Sequence, residues 1–151
     1  MPAIEGQTAA MADCVFCEIA AGRAPADVVY ADEHTVAFLD RTPLFKGHVL
    51  VVPRDHVPTL PDLPAAQIAV LFTVVQRIAA VMPDALDAHG TFVALNNVVS
   101  QSVPHLHVHV VSRRRKDGLR GFFWPRQRYL DALDATTHAA RLRESLAREG
   151  L

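Results

Sequence analysis

Gln101-Ser102-Val103-Pro104-His105-Leu106-His107-Val108-His109-Val110-Val111 puts three of the chain's eight histidines at every second position, with aliphatic residues between them. Side chains on a β-strand alternate between its two faces. The spacing therefore predicts a strand that carries His105, His107 and His109 along one face at steps of ~7 Å and sends Leu106, Val108 and Val110 into a core. Imidazole is the side chain best suited to nucleophilic attack, proton transfer or metal ligation near neutral pH. A row of three marks this strand as the first candidate for a reactive centre.

Outward from it, Val28–Tyr30, Thr35–Leu39 and His48–Val52 read as strands separated by turns at Asp32-Glu33-His34 and Arg41-Thr42-Pro43. Ile68, Leu71, Phe72, Val75, Ile78, Ala79 and Met82 recur at helical spacing, with Asp62 near the start and Pro64 in the first turn. Thr91–Leu95 gives a fourth strand and the histidine strand a fifth. A short helix follows Cys17 and ends at Gly22, and residues 127–148 read as a C-terminal helix bearing Tyr129, Leu130, Leu133, His138, Leu142 and Leu146. Strands in succession around one long helix predict an α+β fold with a five-stranded antiparallel sheet. His34, His89 and His138 stand in turn or helix contexts and read as surface residues without partners.

The chain's 151 residues, 50% of them apolar, suffice for a single core. The layout expected is a flexible N-terminus at 1–12, a catalytic domain at 13–112, and a basic, aromatic extension with a helix at 113–151. A net charge of −1 excludes nonspecific nucleic-acid binding through overall charge, so nucleic acid is not an expected partner. Residues 1–12 lack a basic start followed by an apolar run, and no membrane span is expected; the protein reads as cytoplasmic. The pair Cys14-x-x-Cys17 leaves three readings open: a redox pair, half of a metal site, or two buried thiols.

The run from Gln101 to Val111 closely resembles the signature of the histidine triad (HIT) family of nucleotide hydrolases and transferases. Cys14-Val15-Phe16-Cys17-Glu18-Ile19, Val36-Ala37-Phe38-Leu39-Asp40 and Gly47-His48-Val49-Leu50-Val51-Val52-Pro53-Arg54-Asp55-His56 look like further blocks of that family in its order, so the resemblance covers about residues 14 to 113. It implies a homodimer in which two units join into one continuous sheet. It also implies a structural zinc on Cys14, Cys17, His56 and His105, as in the zinc-containing branch, with no catalytic metal required. A site with four protein ligands leaves no open position for water.

Neutral imidazole is a competent nucleophile toward a phosphate whose charge is neutralised by donors. By resemblance His107 attacks the α-phosphate of a nucleotide, His109 contacts the phosphate and leaving-group side, and His48 supports the cluster. Gln101, Ser102 and either Asn96 or Asn97 would donate to the phosphoryl oxygens. Asp40 matches the family acid that accepts from ribose hydroxyls, while the residues alone equally allow a turn-forming Asp. Phe16 and Ile19 fall where the family places the apolar wall of the base pocket, and Arg41 stands where relatives often carry an aliphatic residue. The loop Asn96-Asn97-Val98-Val99-Ser100 is short and lacks the glycine common in relatives, and Ser112 replaces a common proline.

The function implied is hydrolysis at the α-phosphate of an adenosine or other purine nucleotide derivative, as a phosphoramidase or dinucleoside polyphosphate hydrolase, or nucleotidyl transfer. The basic stretch from Arg113 to Arg126 would meet extra phosphates, and Trp124 would stack on a second base. The rival readings are a non-enzymatic nucleotide-binding or interaction protein and a metal-dependent hydrolase with the triad as ligands. The second asks one ion to reach histidines spanning ~14 Å.

Overall fold

Val49, Val51, Val108 and Val110 are buried beside Leu71, Val74, Val75 and Met82, whereas Leu50, Val52, Val36 and Phe38 are buried beside Cys14, Phe16, Cys17 and Ala20. Alternation along the strands thus divides the two faces of one sheet between two helices. The computed structural model describes residues 13–119 and 127–150. Its strands are β1 (Val28–Ala31), β2 (Thr35–Leu39), β3 (Val49–Pro53), β4 (Gly90–Ala94) and β5 (Val108–Arg113), paired antiparallel in the order β1-β2-β3-β5-β4. Helix α1 (Val15–Ala20) covers one face and α2 (Ala65–Leu86) the other, which is the α+β architecture expected. The expectations for a flexible 1–12 segment and for stacking by Trp124 fall outside the described residues.

The histidine run departs from the strand anticipated. β5 starts only at Val108, so of the three histidines His109 alone lies in the ladder. The last pair with β3 is Val51 with Val108, and Pro104 supplies no N–H to extend it. Upstream, the chain is held by other bonds. Leu106 N donates to Val57 O at 2.6 Å, and the His105 ring donates from Nε2 to Pro53 O at 2.8 Å. The face assignment nevertheless stands: Leu106, Val108 and Val110 are fully buried in the core under α2. At the far end Ser112 pairs with Thr91 and the ladder continues to Arg113 opposite Gly90.

Pro64 also sits differently. It is the N-cap of α2, after a 3-10 turn at Leu60–Asp62, and Pro83 lies inside the helix. By length and composition α2 is apolar enough to cross a bilayer. Here a stripe of Leu71, Val74, Val75 and Met82 is buried in the sheet core instead. Its last turn presses Leu86 against Gly47, where a Cβ would stand 2.5 Å from Leu86 Cδ1 and φ is +89°. Only glycine meets both conditions, and this turn launches His48 into the site.

The described residues up to Asp117 form one compact unit and those from Gly118 onward a second. In the second, helix α3 (Ala132–Arg148) begins five residues later than the sequence suggests, because Asp131 caps it by accepting from Asp134 N at 2.8 Å. None of its residues is buried. The three histidines expected to lack partners have them: His34 meets Glu33 at 3.2 Å, His89 Nδ1 accepts from Arg115 N at 3.1 Å, and His138 lies against Asp134 and Tyr129.

Candidate active site

On the α1 face of the sheet, a cavity of about 280 Å³ is walled by Phe16 and Ile19 of α1, by Asp40, Arg41 and Thr42 after β2, and by Ser102, His107 and His109. Phe16 does double duty. It packs edge-on against Phe38 in the core, with centroids 5.3 Å apart, and edge-on against the His107 ring at 5.2 Å. The rings of His107 and His109 lean together to 5.0 Å, closer than a regular strand would hold them.

Fixed partners determine where the protons sit. His107 Nδ1 lies 2.7 Å from His105 O, and a carbonyl can only accept, so Nδ1 carries the hydrogen and Nε2 is the basic nitrogen. Leu44 N–H donates to His48 Nδ1 at 3.1 Å, which leaves the hydrogen of neutral His48 on Nε2. That hydrogen points at His109 Nδ1, 2.9 Å away, so neutral His109 carries its own hydrogen on Nε2. A backbone amide thereby dictates the tautomers of two rings in series. The result is one ring with a free lone pair beside another with a free N–H, the pairing that attack at phosphorus requires.

Burial, the nearby His107 and His48 rings, and only weak compensation from Asp40 push His109 down to about 4, and burial likewise lowers His48. Both rings are therefore neutral at pH 7. Because the folded-state values lie below those of free imidazole, the unfolded chain binds more protons between about pH 6.5 and about pH 4, and stability rises with pH across that window. Melting temperatures should accordingly be flat above about pH 6.5 and fall as the pH drops toward about 4.5. A profile that stays flat to that point would contradict a neutral His48–His109 pair.

Asp40 forms the turn considered for it and also lines the cavity. Oδ1 accepts from Thr42 N at 2.9 Å and closes a turn, while Oδ2 lies 3.9 Å from His48 Nδ1 on the cavity side. Asn96, Asn97 and Gln101 do not line the cavity. Asn96 Nδ2 donates to Ser100 O, and Asn97 Oδ1 accepts from Leu60 N at 2.9 Å. Gln101 donates from Nε2 to Pro58 O at 2.6 Å and accepts from Val98 N at 3.0 Å. Their amides brace the loop that carries Ser102. Lacking the expected glycine, this loop turns with Val98 and Ser100 themselves at φ of 68° and 61°. Sequence reasoning did not single out Val15, Pro25, Thr42 or Val103, which also border the cavity. The Asp-x-Thr turn was the one local signal available, for Thr42.

His105 faces away from this chemistry. With its Nε2–H given to Pro53 O, its Nδ1 lone pair points to Cys14 Sγ at 3.4 Å and Cys17 Sγ at 3.5 Å, and His56 Nδ1 is 3.3 Å from Cys17 Sγ. The four ligand atoms lie within 4.8 Å of one another and can hold a metal ion. A tetrahedral ion of zinc dimensions separates its S and N ligands by roughly 3.3–3.8 Å, so the donor set fits. Burial and the neighbouring Cys14 push the Cys17 thiol up to about 12, and burial pushes His105 down to about 4. The imidazole is thus a ready neutral ligand, and the Cys17 thiol gives up its proton only to a cation. Asp40, His48 and His109 also converge, but the Leu44 amide and the bond between the two rings already engage both His48 nitrogens and His109 Nδ1.

Comparison with known proteins agrees with this geometry. The pattern of the HIT domain matches residues 21–116. The chain is 33% identical over 109 residues to an adenylylsulfatase of Arabidopsis thaliana, covering 71% of this chain and 55% of that one. It is 35% identical over 92 residues to the asymmetrical bis(5'-nucleosyl)-tetraphosphatase of Schizosaccharomyces pombe, covering 60% and 50%. The crystal structure of a Zn-bound histidine triad family protein from Mycobacterium smegmatis superposes with a TM-score of 0.69 at 38% identity, over 86% of this chain and 99% of that one.

Proposed function

The chain belongs to the histidine triad family, and from that premise we propose that it is a hydrolase acting at the α-phosphate of purine ribonucleotide derivatives. The observation that carries the proposal is the fixed pair of tautomers, a basic Nε2 on His107 next to an N–H on His109. In the first step His107 Nε2 bonds to the α-phosphorus and the bond to the leaving group breaks, with that group taking the electron pair. His109 Nε2–H and Ser102 donate to the oxygens on which charge accumulates. In the second step water attacks the nucleotidyl-histidine, His107 leaves, and the nucleotide monophosphate is released. Asp40 accepts from the ribose hydroxyls through Oδ2.

We assign zinc, in a structural role, to Cys14, Cys17, His56 and His105. Only His105 of the triad belongs to that cluster, which favours the nucleophile reading over one that gives all three histidines to a catalytic metal. Two reduced, paired thiols suit the cytoplasm. A homodimer is proposed through β4, which closes one side of the sheet and exposes Val93.

Incubation with an adenosine phosphoramidate, adenylyl sulfate and diadenosine polyphosphates, following AMP release and trapping nucleotidylated protein by mass spectrometry, tests the proposal and ranks the leaving groups. AMP binding without release from any substrate would leave the protein a nucleotide binder. Asp40→Asn should leave the fold intact and reduce the preference for ribo- over 2'-deoxyribonucleotides about tenfold, read as the ratio of their dissociation constants. An unchanged ratio would remove Asp40 from the ribose site.

A further inference from the structure

Arg41 is the only lysine or arginine that lines the cavity among the described residues. It is also unspent. Arg23 pairs with Glu18, Arg54 donates to Asp32 O and Ala20 O, Arg113 holds Asp117, and Arg114 donates to the carbonyls of Leu86 and Asp87. Arg41 has no hydrogen bond or ion pair with any described residue, and it is exposed. A cation left free at the wall of a ligand cavity is available to the ligand.

Its place narrows what it can meet. The lining divides by chemistry: His107, His109 and Ser102 suit a phosphate, and Val15, Phe16, Ile19 and Pro25 suit the apolar face of a base. Arg41 directly follows Asp40, whose Oδ1 is fixed in the turn and whose Oδ2 is left for the sugar. The remaining polar part of a purine nucleotide is the base edge. A guanidinium offers two parallel N–H donors and no acceptor. Guanine and hypoxanthine present two adjacent acceptors, O6 and N7. Adenine presents N7 beside an amino donor, so one arm of the fork would face another donor.

We infer that Arg41 is a specificity residue that reads the O6/N7 edge of a 6-oxopurine, so that guanine and hypoxanthine nucleotides are preferred over adenine nucleotides. This rests on the nucleotide reading above and departs from the adenosine preference implied by family resemblance. Arg41 makes no hydrogen bond or ion pair with a described residue and is exposed, so its replacement should not disturb the fold.

Dissociation constants for GMP, IMP and AMP are to be measured by titration calorimetry on the full chain and on Arg41→Leu. Wild type should bind GMP and IMP about tenfold more tightly than AMP, and 7-deaza-GMP should fall to the AMP level. Arg41→Leu should bring all three within about twofold of one another, with AMP unchanged. Equal weakening of GMP, IMP and AMP by Arg41→Leu would place the guanidinium on ribose or phosphate and overturn the inference while leaving a nucleotide site. Equal affinities in wild type would overturn it in the same way. Failure of wild type to bind any of the three would overturn the nucleotide reading itself.

Discussion

His107→Asn should lower the single-turnover rate of AMP release by about 10⁴-fold or more, with AMP affinity and melting temperature close to those of wild type. The expectation follows from what the ring does. His107 is 3% exposed and wedged between Phe16 and His109, and its Nδ1–H is anchored on His105 O. Asparagine retains an amide donor for that carbonyl but offers no basic nitrogen in place of Nε2, so binding survives and bond formation to phosphorus does not. The complementary measurement is the site of covalent labelling: a trapped nucleotidyl group in wild type should map to His107. Full activity of His107→Asn, or a label on another residue, would end the assignment.

The second large effect concerns the proposed zinc. Removing the ion with a strong chelator, or changing Cys17→Ser, should destabilise the protein by several kcal/mol and lower Tm by about 10 °C or more. Cys14 and Cys17 come from the N-cap and first turn of α1, His56 from the segment after β3 and His105 from the segment before β5, so the ion would clamp three parts of the chain together. Activity should fall along with stability, since the carbonyl that orients His107 belongs to the zinc ligand His105. Elemental analysis should give about one zinc per chain, and re-addition of zinc should restore Tm. A chain that melts at the same temperature with and without chelator would refute a structural role for the ion.

Much of this was legible because the sequence signals were periodic. Apolar runs bounded by turns gave the strands at 35–39 and 48–52, two-residue alternation at 105–110 gave both faces of the last strand, and the i, i+3, i+4 stripe gave α2. What escaped were places where a side chain, not a backbone group, closes the structure. The strand looked longer than β5 because nothing in His105-Leu106-His107 announces that an imidazole would satisfy Pro53 O. Gln101, Asn96 and Asn97 looked like phosphate donors because an amide's use is set by whichever carbonyl or N–H folds next to it, here from residues 58, 60, 98 and 100. The tautomers were likewise unreadable, since those of His48 and His109 hang on the amide of Leu44 and that of His107 on the carbonyl of His105.

The loop that presents Ser102 has a thermodynamic side. Left-handed backbone costs a non-glycine residue roughly 1–2 kcal/mol, and Val98 and Ser100 both adopt it within three positions. Glycines there would relieve that strain but would enlarge the set of shapes the free chain can sample. Valine and serine, with Asn97 and Gln101 bracing the loop, narrow the set of shapes open to it. The ordering entropy that a glycine-rich loop surrenders at the moment of binding is here surrendered during folding, so under the proposed function more of the contact energy at Ser102 would remain as affinity.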